Sequence, residues 1–180
     1  MNVCVFCGSS TGVNPVYAEA GKDLALLLSK NKCSLVYGGG NIGMMGIIAD
    51  EMLKNSAKVI GVIPDFLVQR EVAHQGLSEL IVVKTMHERK KRMADLTDLF
   101  IVLPGGMGTL DEMAEILTWK QLGLIDKPVG LLNVNGYFDP LIQQLERMVK
   151  EGFLNRNNLS SIKIANNAPH LITLLGVVAF

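Results

Sequence analysis

The sequence predicts an α/β chain of one domain, built on a doubly wound parallel sheet with helices on both faces and spanning residues 1–180. Short apolar, β-branched runs alternate with longer helical patterns, which is the signature of parallel strands joined by crossover helices. Three of the strand ends carry glycine, and each is followed by a helix. The chain has 180 residues, 49% of them apolar and 6% aromatic, which suits one packed domain better than two small ones. Together these features imply a mostly parallel sheet covered on both faces.

The elements follow in order. Val3–Cys7 reads as a buried strand and Pro15–Lys30 as the helix after it. Leu35–Tyr37 and Lys58–Ile63 are the next strands, with a helix over Met44–Leu53 between them. Pro64–Ser78 is the least regular stretch and reads as a binding loop. A helix over His87–Leu96 then leads to a strand at Leu99–Leu103 and a helix at Thr109–Gln121. Val129–Leu132 is a strand and Asp139–Lys150 a helix, and Ile162–Ile164 adds an edge strand before a closing helix.

Composition excludes several functions. Seventeen basic residues balance seventeen acidic ones, so a nucleic-acid polymer, which calls for a basic excess, is not an expected partner. A single small phosphate needs only a local patch. Three cysteines make no disulfide framework, and a reducing, cytoplasmic setting is expected. Met1-Asn2-Val3 leads into a strand without the regions of a signal peptide. The most apolar stretch, 171–180, falls far short of the roughly 20 residues that span a bilayer, so no membrane association is expected.

In a doubly wound sheet, ligands sit beyond the carboxyl ends of the strands. The glycine segments there are Gly8-Ser9-Ser10-Thr11-Gly12, Gly38-Gly39-Gly40-Asn41-Ile42-Gly43 and Pro104-Gly105-Gly106-Met107-Gly108-Thr109. Helix starts offer unpaired N–H groups and the positive end of the dipole, and glycine admits a phosphate to the backbone. Gly38-x-Gly40-x-x-Gly43 matches the dinucleotide fingerprint, with Asp65 at a suitable distance to hold a ribose, which favours an NAD-dependent oxidoreductase. The fingerprint normally follows the first strand, and here it follows the second.

Two constellations compete with bland readings. Thr109-Leu110-Asp111-Glu112 fits a capping box, which would explain Glu112 without chemistry. Helical spacing puts Leu110, Met113, Ala114 and Leu117 on a core stripe, with Glu112, Glu115, Ile116 and Trp119 opposite, on the wall of a site or a subunit contact. Four basic residues, Arg89 to Arg92, follow His87-Glu88 near a helix start, where the dipole opposes them and a bound anion would offset the cost. Arg89 shares a stripe with Met93 and Leu96 and should point inward, while Lys91 and Arg92 fit a solvated face. Cys4 and Cys7 face opposite sides of a strand and read as core thiols rather than a redox or zinc pair. His74, His87 and His170 lack metal-ligand spacing.

These residues resemble the LONELY GUY (LOG) family, the cytokinin riboside 5′-monophosphate phosphoribohydrolases, many members of which carry the label "possible lysine decarboxylase". The family's P-G-G-x-G-T-x-x-E motif stands at Pro104–Glu112 and its M-H-x-R-K segment at Met86–Lys90. The resemblance extends over nearly the whole chain, including Cys7-Gly8-Ser9-Ser10 and Lys127-Pro128-Val129-Gly130. It implies a Rossmann-like homodimer with its active sites near the subunit interface. The implied substrate is a nucleoside 5′-monophosphate, either isoprenoid-modified at N6 or AMP itself.

It also implies catalysis by Arg89 and Glu112. Glu71, Met86, Lys90, Gly105, Gly106, Met107, Gly108, Thr109, Leu110, Asp111 and Thr118 are the implied substrate-binding residues. Asp111 stands where Glu is common and Met107 where an aromatic often stands, which bears on ribose contact and base preference. No lysine sits in a recognisable pyridoxal-phosphate setting, and reaction without metal, nicotinamide or pyridoxal cofactor is expected. N-glycoside cleavage builds positive charge at the anomeric carbon. Glu112 would balance it, hold the ribose hydroxyls or orient the water; Arg89 would assist the departing base or clamp the nucleotide.

Overall fold

The computed structural model describes residues 1–68 and 73–177. Its seven strands are β1 (Asn2–Phe6), β2 (Ser34–Tyr37), β3 (Val59–Pro64), β4 (Glu79–Val83), β5 (Leu99–Val102), β6 (Val129–Leu132) and β7 (Ile162–Ala165). They form one sheet in the order β4-β3-β2-β1-β5-β6-β7, with every pairing parallel. The chain winds outward from β1 to β4, crosses back to β5 beside β1, and winds the other way. The doubly wound prediction holds.

Alternation along the central strands explains the two-sided core. Val3 and Val5 of β1 enter one apolar cluster, Cys4 and Phe6 the other, because successive side chains of a strand point to opposite faces. Helices α1 (Val16–Lys30), α2 (Gly43–Lys54) and α7 (Ala168–Leu174) cover the first face through Leu24, Ile48 and Leu171. Helices α3 (Met86–Asp95), α4 (Met107–Gln121) and α5 (Asp139–Lys150) cover the second through Met93, Met113, Ile116 and Leu141. A short α6 (Arg156–Ser160), capped by Asn155 accepting from Asn157 N–H at 2.8 Å, precedes β7.

The differences from the sequence reading are local. β4 is an additional strand, and it lies at the sheet edge with only partial burial of Ile81 and Val83. The stretch read as a loop over Pro64–Ser78 contains a 3-10 turn at Asp65–Leu67 and a bridge from Ala73 to Gly40, while residues 69–72 lie outside the described residues. α4 begins at Met107, two residues before Thr109, with Gly106 as N-cap and no side-chain cap. The Thr109–Glu112 capping box is therefore overturned. A reciprocal cap exists instead on α3: Thr85 Oγ1 accepts from Glu88 N–H at 3.1 Å, and Glu88 Oε2 accepts from Lys84 N–H at 2.7 Å.

The buried face of α4 also differs from the expected stripe. Thr109, Glu112, Met113 and Ile116 are buried, Leu110 and Leu117 are half-buried, and Ala114 is exposed. The helix is rotated so that a carboxylate points toward the sheet. Among the described residues no helix is long and apolar enough to cross a membrane.

Candidate active site

The strand order reverses between β1 and β5, and the loops leaving these two strands meet there. Gly8 N–H donates to the Pro104 carbonyl at 3.2 Å. A Cβ on Gly8 would lie 3.2 Å from Gly105 Cα, and one on Gly105 would meet Gly8 N at 2.8 Å and the Thr109 side chain. Only glycine lets these two loops touch. Around the contact lie two adjoining clefts that share Gly8, Ser9 and Gly106.

The first cleft, of about 180 Å³, is lined by Cys7, Met45, Met86, Arg89, Met107, Gly108, Thr109 and Glu112 beside the shared residues. Two charged side chains are buried in its wall, Arg89 at 5% exposure and Glu112 at 8%. α3 brings Arg89 in from beneath β2 and β3. Its Nε donates to the Val62 carbonyl at 3.1 Å and its Nη2 to the Gly38 carbonyl at 2.9 Å, while Nη1 lies 3.9 Å from Met86 Sδ. α4 brings Glu112 in on its buried face. Both charges act on Cys7: burial pushes its thiol far above the usual range, Glu112 adds to the rise, and Arg89 opposes it. Cys7 is thus a neutral thiol in the cleft wall.

The amino end of α4 opens onto the same cleft. A Cβ at Gly106 or Gly108 would meet nothing within 4 Å, so these glycines leave backbone N–H groups open to approach instead of serving packing. The second cleft, of about 270 Å³, adds Ser10, Thr11, Tyr17, Pro104, Gly105 and Tyr137.

Of the residues expected at the site, Met86, Arg89, Gly106, Met107, Gly108, Thr109 and Glu112 share the first cleft, and Gly105 borders the second. Lys90 and Asp111 flank it as a pair. Lys90 Nζ lies 3.0 Å from Asp111 Oδ2 and 3.0 Å from Glu115 Oε2, tying α3 to α4. Burial lowers the Lys90 pKa, but Glu115 and Asp111 together outweigh it and hold the ammonium above its ordinary value. A lysine kept charged in this way is the opposite of the deprotonated amine that Schiff-base chemistry needs.

Leu110 packs into the core cluster under α4. Thr118 lies on the exposed side of α4, donating to the Ala114 carbonyl at 2.8 Å and lining a separate apolar cavity against α5. Glu71 lies outside the described residues.

The glycines of the second segment have other duties than a pyrophosphate. A Cβ on Gly38 would collide with Arg89 Nη2, and one on Gly43, at φ 64°, with the backbone of Ser9 and Ser10. They make room for the arginine and for the first glycine loop. Asp65 is exposed and accepts from the adjacent Phe66 N–H at 2.6 Å. The dinucleotide reading has no support in this geometry.

Sequence reasoning missed Cys7, Met45 and Tyr137 as wall residues. Cys7 was legible as the residue before Gly8 at a strand end; nothing in the local pattern marked Tyr137.

The order of strands, with its charged cleft at the reversal point, defines a Rossmann-like α/β protein. A family model described as "possible lysine decarboxylase" matches residues 45–175, and the chain belongs to that family. It is 45% identical over 173 residues to the cytokinin riboside 5′-monophosphate phosphoribohydrolase LOG2 of Arabidopsis thaliana, covering 96% of this chain and 81% of that protein. To LOG4 of the same plant, also a cytokinin riboside 5′-monophosphate phosphoribohydrolase, it is 46% identical, covering 96% and 80%. Among solved structures, the molybdenum cofactor binding protein of Rippkaea orientalis matches with a TM-score of 0.71 at 23% identity, over 97% of this chain and 94% of that one, which speaks for the fold alone.

Proposed function

We propose that the protein hydrolyses the base–ribose bond of nucleoside 5′-monophosphates, a cytokinin riboside 5′-monophosphate or AMP, releasing free base and ribose 5-phosphate. The observation that carries this reading is the burial of Arg89 and Glu112 in one cleft at the glycine-opened start of α4. The phosphoribohydrolase activity of relatives at 45% and 46% identity supports it.

The 5′-phosphate docks on the N–H groups that begin α4, where the dipole favours an anion. The ribose then lies across the cleft toward Glu112. As the bond to the base lengthens, positive charge grows on C1′ and the ring oxygen, and the Glu112 carboxylate stabilises it. Water adds its oxygen to C1′, its proton passes to Glu112 or the departing base nitrogen, and the bonding pair leaves with the base. Guanidinium is a poor proton donor, so Arg89 acts as a positive clamp on the nucleotide. Lys90 and Asp111, locked together, set the separation of α3 and α4.

The protein works as a cytoplasmic homodimer in this account. The loop after α4 and the turn after α5 expose apolar side chains that a second copy would cover, among them Leu122, Leu124 and Phe153 at 65%, 67% and 84% exposure. Thr118 lines, with Phe153, a cavity that shares no residue with the Arg89 cleft of its own chain. Light scattering coupled to size exclusion reads the dimer directly.

Incubation with a panel of nucleoside 5′-monophosphates, with chromatography for free base and ribose 5-phosphate, tests the activity. Binding without base release would leave a nucleotide-binding protein and end the hydrolase reading.

A further inference from the structure

We infer that Tyr137, which no motif marks, is a positioning residue that sets the phosphate-binding peptide between Gly105 and Gly106; this inference rests on the site reading above. Its hydroxyl donates to the Gly105 carbonyl at 2.6 Å, across 32 positions of sequence. That carbonyl and the Gly106 N–H belong to one peptide group, and the described chain has no cis bonds. In a trans peptide the two point in opposite directions. Holding the carbonyl toward Tyr137 therefore turns the Gly106 N–H to the other side, where Gly106, Gly108 and Thr109 line the Arg89–Glu112 cleft.

The peptide needs such a hold. Gly106 has no neighbour within 4 Å of a Cβ position and precedes the helix without a side-chain cap, so its own packing does little to fix it. A glycine left unpacked on this scale explores many orientations, and an anion site made of backbone N–H groups works only when they are aligned beforehand.

The turn that presents Tyr137 is itself firmly built. After β6, buried Asn133 accepts from Phe138 N–H through Oδ1 at 2.7 Å and donates through Nδ2 to Asp139 Oδ1 at 2.7 Å. Asn135 and Gly136 take φ of 52° and 67°, which reverses the chain and lifts Tyr137 toward β5. The ring is then bracketed edge-on by Tyr17 at 5.6 Å and Phe138 at 5.0 Å between centroids. A tyrosine half in water is thus fixed on both sides, and its hydroxyl is spent on one backbone carbonyl of the site.

The test is Tyr137→Phe, which keeps the ring and its bracket and removes one hydroxyl. Ribose 5-phosphate binding, by titration calorimetry, is the main readout because it does not depend on turnover. Affinity should fall about five- to tenfold, the effect of one net hydrogen bond. KM for AMP should rise by a similar factor with kcat within twofold, and adenosine binding and melting temperature should hold. Unchanged ribose 5-phosphate affinity overturns the inference, as does an equal loss of adenosine and ribose 5-phosphate binding, which would make Tyr137 merely structural. A wild-type protein that binds ribose 5-phosphate but releases no base would sink the hydrolase reading alone. No binding by wild type would sink both.

Discussion

Replacing Glu112 with glutamine separates chemistry from architecture better than any other single change. The structure removes the capping explanation for this residue, because α4 starts at Met107 and Glu112 lies beyond the first turn. Glutamine has the same shape and retains a hydrogen-bonding amide, so the buried face of α4 still packs. Stability should change by no more than about 1 kcal/mol, or roughly 2–4 °C in melting temperature for a chain this size. The chemical cost is larger. A unit charge about 4 Å from the developing cation, at an effective dielectric near 20, contributes about 4 kcal/mol. The sugar carries only part of a full charge, so a loss in kcat of about 10²- to 10³-fold is expected. The assay is base release from AMP alongside differential scanning calorimetry. Turnover within threefold of wild type, with the fold intact, would refute the assignment of Glu112 to catalysis.

Other perturbations reach the site from outside it. Gly38→Ala places a methyl group against Arg89 Nη2, and should cut activity at least tenfold while costing about 1–3 kcal/mol in stability, read by chemical denaturation. Lys90→Met removes the tie from α3 to Asp111 and Glu115, with an expected loss of about 1–3 kcal/mol. Because the folded pKa of Lys90 is raised, its stabilisation is whole below about pH 10.4 and fades as pH rises through the folded value. Melting temperature followed from pH 9 upward should therefore fall more steeply for wild type than for Lys90→Met. Cys4, Cys7 and Cys33 are buried, and burial raises the thiol pKa of each. A thiol-specific disulfide reagent at pH 8 should label none of them until denaturant is added.

How far the sequence reached can be traced in particular residues. β1, β2, β3, β5 and β6 were legible because buried parallel strands read as unbroken apolar runs. β4 escaped because an edge strand is only half-covered, and Glu79–Val83 follows a stretch with no clear period. The inward turn of Arg89 was visible from its spacing to Met93 and Leu96. The inward turn of Glu112 was not, for an instructive reason. Hydrophobic patterning assigns carboxylates to the wet face, so a charge buried for function misleads the phase of its helix. Leu110 and Leu117, at the flank of the buried face, then appeared to mark its centre. Tyr137 could not be found at all, since the fold alone brings the β6 turn over the β5 loop.

The most direct test is a crystal structure of the Glu112→Gln protein with AMP bound. The account predicts phosphate oxygens within hydrogen-bonding reach of the N–H groups of Gly106 to Thr109, and C1′ against the residue-112 side chain. A nucleotide lodged elsewhere, or turned so that its base lies on the start of α4 and its phosphate far from it, would contradict it.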